Sequence, residues 1–145
     1  KTRDVLEWIE REKKNALVLV GRSYQLDPEI NKGIPAVMAG LGIPVLSAEG
    51  LYLLQNEGHD TPTFREKALF TAEMVCTHPY LHFVQLQSTS CGWDMTTIDA
   101  LQERLERAGK RYTMISLDQG VSTGALQIRI RSLMAEIQEK QSRLY

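Results

Sequence analysis

Most of the residues able to do chemistry sit in short polar stretches that follow apolar runs. The most distinctive stretch is Ser88-Thr89-Ser90-Cys91-Gly92-Trp93-Asp94, after an extended run over 82–87. A cysteine between a strand end and a helix start lies near oriented N–H dipoles, which favour thiolate, the form that binds metal or attacks electrophiles. Cys91 reads as a metal, cluster or redox cysteine, or as a small packing residue in a turn. Its polar, glycine-flanked surroundings argue against deep burial. Asp94 can cap the next helix by accepting unpaired first-turn N–H groups. Trp93 either shields the loop from water or anchors it.

A second chemistry is anion binding. Gly21-Arg22 offers a planar fork of donors, with Tyr24 close by. Ser122, Thr123 and Gly124 offer N–H groups at a helix start. Ordinary turn and cap chemistry accounts for the same residues equally well. No strand is followed by a Walker A sequence or by G-x-G-x-x-G, which weighs against nucleotide binding. Cys76, beside Val75 at a helix end, reads as a core cysteine. With no C-x-x-C or C-x-x-H pair, the chain alone does not complete a zinc or cluster site. His78 and His82 lack a spaced partner and read as structural or exposed. Arg129 and Arg131 read as solvated helix charges.

Stepping from helix to strand, periodicity places helices over 4–14, 28–41, 48–55, 64–75, about 95–108 and from 123 onward. Strands are expected at 16–20, 43–46, 82–87 and 111–117. Asp27 and Pro28 mark one helix start, and Thr63-Phe64-Arg65-Glu66 a capping box at another. Gly42 and Gly109 close helices. This alternation predicts an α/β fold: a three-layer α/β/α sandwich on an open parallel sheet of about four strands, Rossmann- or flavodoxin-like. In such a sheet the carboxyl-end loops share one rim, the usual ligand edge. That rim would gather loops 21–27, 47–50, 88–94 and 118–124. It brings Arg22, Tyr24, Ser88, Ser90, Cys91, Gly92, Asp94, Asp118, Ser122 and Gly124 toward one another.

The 145 residues fit one domain. A formal charge of −1 gives no basic field for nucleic acid, and no apolar run reaches the roughly 20 residues of a membrane span. There is no signal-peptide pattern at the start. Two cysteines do not make a disulfide framework, so a reducing, cytoplasmic setting is expected. The chain opens Lys1-Thr2-Arg3 without methionine, and a piece of a longer protein is expected.

Three stretches carry a family resemblance: residues 18–35, with Gly21-Arg22-Ser23-Tyr24-Gln25 inside it; Gln85 to Asp94; and Asp118-Gln119-Gly120 through Gly124 to Ile128-Arg129-Ile130-Arg131-Ser132-Leu133. Together they resemble the domain of the large activator-type proteins of the 2-hydroxyacyl-CoA dehydratase system, such as 2-hydroxyglutaryl-CoA dehydratase activators. The likeness is to the dehydratase-subunit fold rather than to the actin-like ATPase module. It implies low-potential electron transfer and a four-iron (4Fe–4S) iron–sulfur cluster held by cysteines of several domains, with Cys91 as one ligand. It implies as partners other domains of the same chain and a 2-hydroxyacyl-CoA dehydratase. The isolated domain is not expected to be catalytic. The chain departs from the family pattern at Ser23 and Gln25, where Pro and His are expected, and in Gln87-Ser88-Thr89-Ser90 before Cys91, where Asn-Ser-Phe-Gly is expected. A plain binding module remains the alternative, with Arg22 and loop 118–124 holding a phosphate or CoA-type anion. So does a purely docking domain.

Overall fold

Ala16-Leu17-Val18-Leu19-Val20 has no polar side chain and forms β1 (Ala16–Val20), buried at every position. A strand apolar on both faces must be covered by helices on both faces. The computed structural model describes residues 2–21, 34–55, 63–87, 95–116 and 123–144. Around β1 it places β2 (Val45–Ser47), β3 (Leu81–Gln87) and β4 (Thr113–Ser116). The sheet order is β2-β1-β3-β4, and all pairs are parallel. The helices are α1 (Thr2–Glu12), α2 (Ile34–Gly40), α3 (Ala48–Gln55), α4 (Phe64–Thr77), α5 (Met95–Arg107) and α6 (Thr123–Leu144).

Alternation along the strands sorts the core into two layers. Val18, Val20, Leu81 and Phe83 pack with Ile9 of α1, Leu51 of α3, Val75 of α4 and Leu101 and Leu105 of α5. Leu17, Leu19, Val84, Leu86 and Ile115 pack with Met38 of α2 and Leu126, Ile130, Leu133 and Ile137 of α6. The predicted three-layer sandwich and its open parallel sheet are therefore what the chain forms. From β1 the chain steps one way to β2 and then crosses to β3 on the other side. Crossovers of one hand put the covering helices on opposite faces when that direction reverses, as α2 and the α3–α5 set are here.

Helix ends follow local chemistry. Thr63 caps α4 by accepting the Glu66 N–H at 3.1 Å. Gly109 adopts φ +78° after α5, with its N–H on Glu106 O and the Lys110 N–H on Leu105 O, a paired closure that suits glycine. Gly42 repeats the arrangement after α2, at φ +75°. α1 closes the same way with Lys13 in the left-handed position, φ 55°, and Lys14 N–H on Ile9 O.

Several boundaries differ from those read in the sequence. β2 begins at Val45 rather than 43, because the Ile43 N–H closes α2 on Met38 O and Pro44 has none to give. β4 begins at Thr113 rather than 111, where pairing with Val84 of β3 starts. Residues 47–50 are not a loop: Ser47 ends β2, α3 starts at Ala48, and Ser47 Oγ accepts the Gly50 N–H at 3.0 Å. The predicted helix over 28–41 is described only as α2, its first part lying outside the described residues.

Candidate functional site

The carboxyl edge of the sheet is the place where this topology can build a site. Register sets Val20 of β1 beside Gln85 of β3, Leu19 beside Ser47 of β2, and Gln87 beside Ser116 of β4. β1 and β3 are neighbours, and the chain leaves them toward opposite faces. That makes a switch point, the usual place for a ligand site in sheets of this kind. Segment 22–33 leaves from β1 and segment 88–94 from β3. α3 and α6 begin from the same edge, as does α5, so their amino-terminal N–H groups add positive potential there.

Arg22, Tyr24, Ser88, Cys91, Gly92 and Ser122 all lie outside the described residues, as do Ser90, Asp94 and Asp118. Gly124 is described; it sits exposed in the first turn of α6. Gly21, which precedes Arg22, is buried at the end of β1.

Two residues beneath this edge carry polar atoms that a strand reading passed over. Gln85 is fully buried in the middle of β3. Its Oε1 accepts the Tyr112 hydroxyl, while its Nε2 has no hydrogen-bond partner. At Gln87, the last residue of β3, Oε1 is buried and also unpartnered. Strand periodicity puts both amides on one face. They present one spare donor and one spare acceptor under the exit of segment 88–94. The signal was present in the sequence, as two amides at i and i+2 among apolar strand residues. Tyr112 is half-buried, and burial pushes its phenol up to about 12, so it stays a hydroxyl donor.

The other titratable groups gather at the opposite edge. Cys76, near the end of α4, is partly buried; its Sγ faces Arg104 O at 3.6 Å, and burial pushes its thiol up. It packs against the core only partly buried, short of the full burial that its reading as a core cysteine implied. His82 Nε2 is 2.9 Å from Asn15 Oδ1, and Asn15 and Gln141 exchange both amide hydrogen bonds at 2.7 and 3.0 Å. Burial pulls the His82 ring down to about 3, with the Lys110 charge adding, so the ring is neutral. His78 Nδ1 meets Met74 O at 2.8 Å, and its Nε2 lies 3.6 Å from Glu10. Both histidines are structural. Arg129 and Arg131 are exposed, and Arg129 also donates to Met114 O.

β3 runs seven residues from one edge to the other, about 20 Å at strand rise. Cys76 lies near its start, and segment 88–94 leaves its end. Among the described residues no group of three or more His, Cys, Asp or Glu side chains could hold a metal ion.

Residues 1–51 match the family described as the CoA enzyme activase uncharacterised domain. Over those residues, about a third of its length, the chain is similar to that activase-type domain. The match covers α1, β1, α2, β2 and the start of α3, and it bears out the activator-type resemblance read from the sequence. No curated protein matches the chain. Among the described residues, no helix is long and apolar enough to cross a membrane.

Proposed function

We propose that this domain serves a 2-hydroxyacyl-CoA dehydratase activator-like protein in low-potential electron transfer to its dehydratase. In this reading Cys91 supplies one thiolate ligand to a four-iron cluster, and the remaining ligands come from other parts of the assembled protein. One observation carries the reading: segments 22–33 and 88–94 leave adjacent parallel strands at a switch point, and the second holds a cysteine. The match over residues 1–51 supports the activator setting.

The chain's own contribution is positional and electrostatic. Cys91 follows Gln87, the last residue of β3, by four positions, which suits the carboxyl edge in this reading. The amino ends of α3, α5 and α6 at that edge favour a thiolate over a thiol. Cys76 takes no part, being a raised-pKa thiol at the other edge. A bound cluster would supply a one-electron store.

Anaerobic iron–sulfide reconstitution of the full-length protein tests this. Cys91→Ser should lower the cluster absorbance or alter its reduced-state EPR spectrum, and Cys76→Ser should do neither. An unchanged spectrum in Cys91→Ser removes Cys91 as a ligand.

A further inference from the structure

A cavity of about 370 Å³ opens at the amino edge of the sheet, away from the rim assigned to Cys91. It lies between the amino ends of β3 and β4 and the carboxyl-terminal half of α6. Its size falls within the range of small-molecule sites. Leu133 and Ile137 of α6 give it an apolar wall, and both are otherwise packed into the core.

The charge around it is unbalanced. Lys110, Arg111 and Lys140 line it, against one carboxylate, Glu136, which is paired with Arg111. His82 also lines it and adds no charge, because Nε2 is committed to Asn15 and burial keeps the ring neutral. Lys110 is anchored rather than available: its Nζ donates to the carbonyls of His78, Pro79 and Leu81 at 3.0, 3.2 and 2.9 Å, using all three hydrogens. It contributes a fixed positive charge without a spare donor. Burial first of all, and the charge of Lys140 in the same direction, hold its ammonium down at about 8. Lys140 donates to Gly109 O and keeps further hydrogens.

An apolar wall beside unneutralised cations selects the ligand class. Inorganic phosphate needs several donors around a strongly hydrated ion, and here the most buried cation has none to spare. A monoanionic carboxylate with a hydrocarbon body matches both surfaces. We propose that this cavity binds a small organic carboxylate, its apolar body against Leu133 and Ile137 and its charge beside Lys140, with the fixed charge of Lys110 nearby.

An NMR titration of the full chain with sodium hexanoate, 1-hexanol and sodium phosphate tests this. Hexanoate should shift the backbone amides of residues 108–113 and 133–141 saturably. Hexanol should bind the same amides about two- to five-fold more weakly, the factor one exposed ion pair supplies. Lys140→Gln should weaken hexanoate by about the same factor and leave hexanol unaffected. Arg111→Gln leaves Glu136 unneutralised and gives a second reading of the charge requirement if Lys140→Gln disturbs the fold. The proposal fails if hexanoate shifts no amides there, if phosphate binds there as well as hexanoate, or if removing either charge leaves hexanoate affinity unchanged. Because the cavity lies at the opposite edge from the rim proposed for Cys91, neither result bears on cluster ligation.

Discussion

Lowering the pH from 7.5 to 5.0 should destabilise this domain by about 2 kcal/mol through His82 alone. The folded ring is pulled from 6.5 to about 3, chiefly by burial and further by the Lys110 charge. An unfolded ring takes up its proton as the pH falls through 6.5, while the folded ring stays neutral until about 3. In that window the unfolded state binds more protons, so stability falls as pH falls and levels off below the folded value. Each pH unit inside the window costs about 1.4 kcal/mol, and pH 5.0 lies about 1.5 units into it. Urea unfolding of the wild type and of His82→Gln at both pH values measures the effect. The glutamine amide can still donate to Asn15, and carboxylates such as Glu73 titrate alike in both proteins. The variant should lose about 2 kcal/mol less than the wild type over this interval. Equal losses would refute the assignment of a buried, neutral ring.

Other expectations follow from single contacts. Lys13→Gly should raise stability by about 0.5–1 kcal/mol, because Lys13 holds a left-handed φ of 55° that glycine adopts without strain; a thermal melt would read this as a few degrees. Tyr112→Phe should cost about 1–2 kcal/mol, since it leaves both polar ends of the buried Gln85 amide without partners. The same change in a Gln85→Met background should cost much less, and an equal cost in both backgrounds would show that the hydroxyl–amide bond is not the cause.

The sheet was legible because its residues leave little choice. Five consecutive apolar residues at 16–20 admit burial on both faces, and helix-period stripes such as Ile130, Leu133 and Ile137 fix the covering layer. Parallel strands then imply a shared rim; residues 22 and 91, assigned to it from the sequence, lie outside the described residues. Boundaries were harder, since they depend on which N–H groups are already spent. Ile43 looks like a strand residue until its N–H closes α2. The helix end at Lys13 carried no glycine to announce it. The cavity between β3, β4 and α6 was illegible because Lys110, Lys140 and His82 meet only after folding, from segments far apart in the chain. Gln85 and Gln87 could have been weighed: amides inside an apolar strand ask for partners.

The central claim is that Cys91 ligates a cluster at the carboxyl edge while Cys76 packs at the other. Iodoacetamide labelling of the reconstituted full-length protein, resolved by mass spectrometry at each cysteine, tests it most directly. Cys91 should be protected while the cluster is bound and become reactive once iron is chelated, with Cys76 labelling at the same slow rate in both states. Equal labelling of Cys91 with and without the cluster would contradict the account.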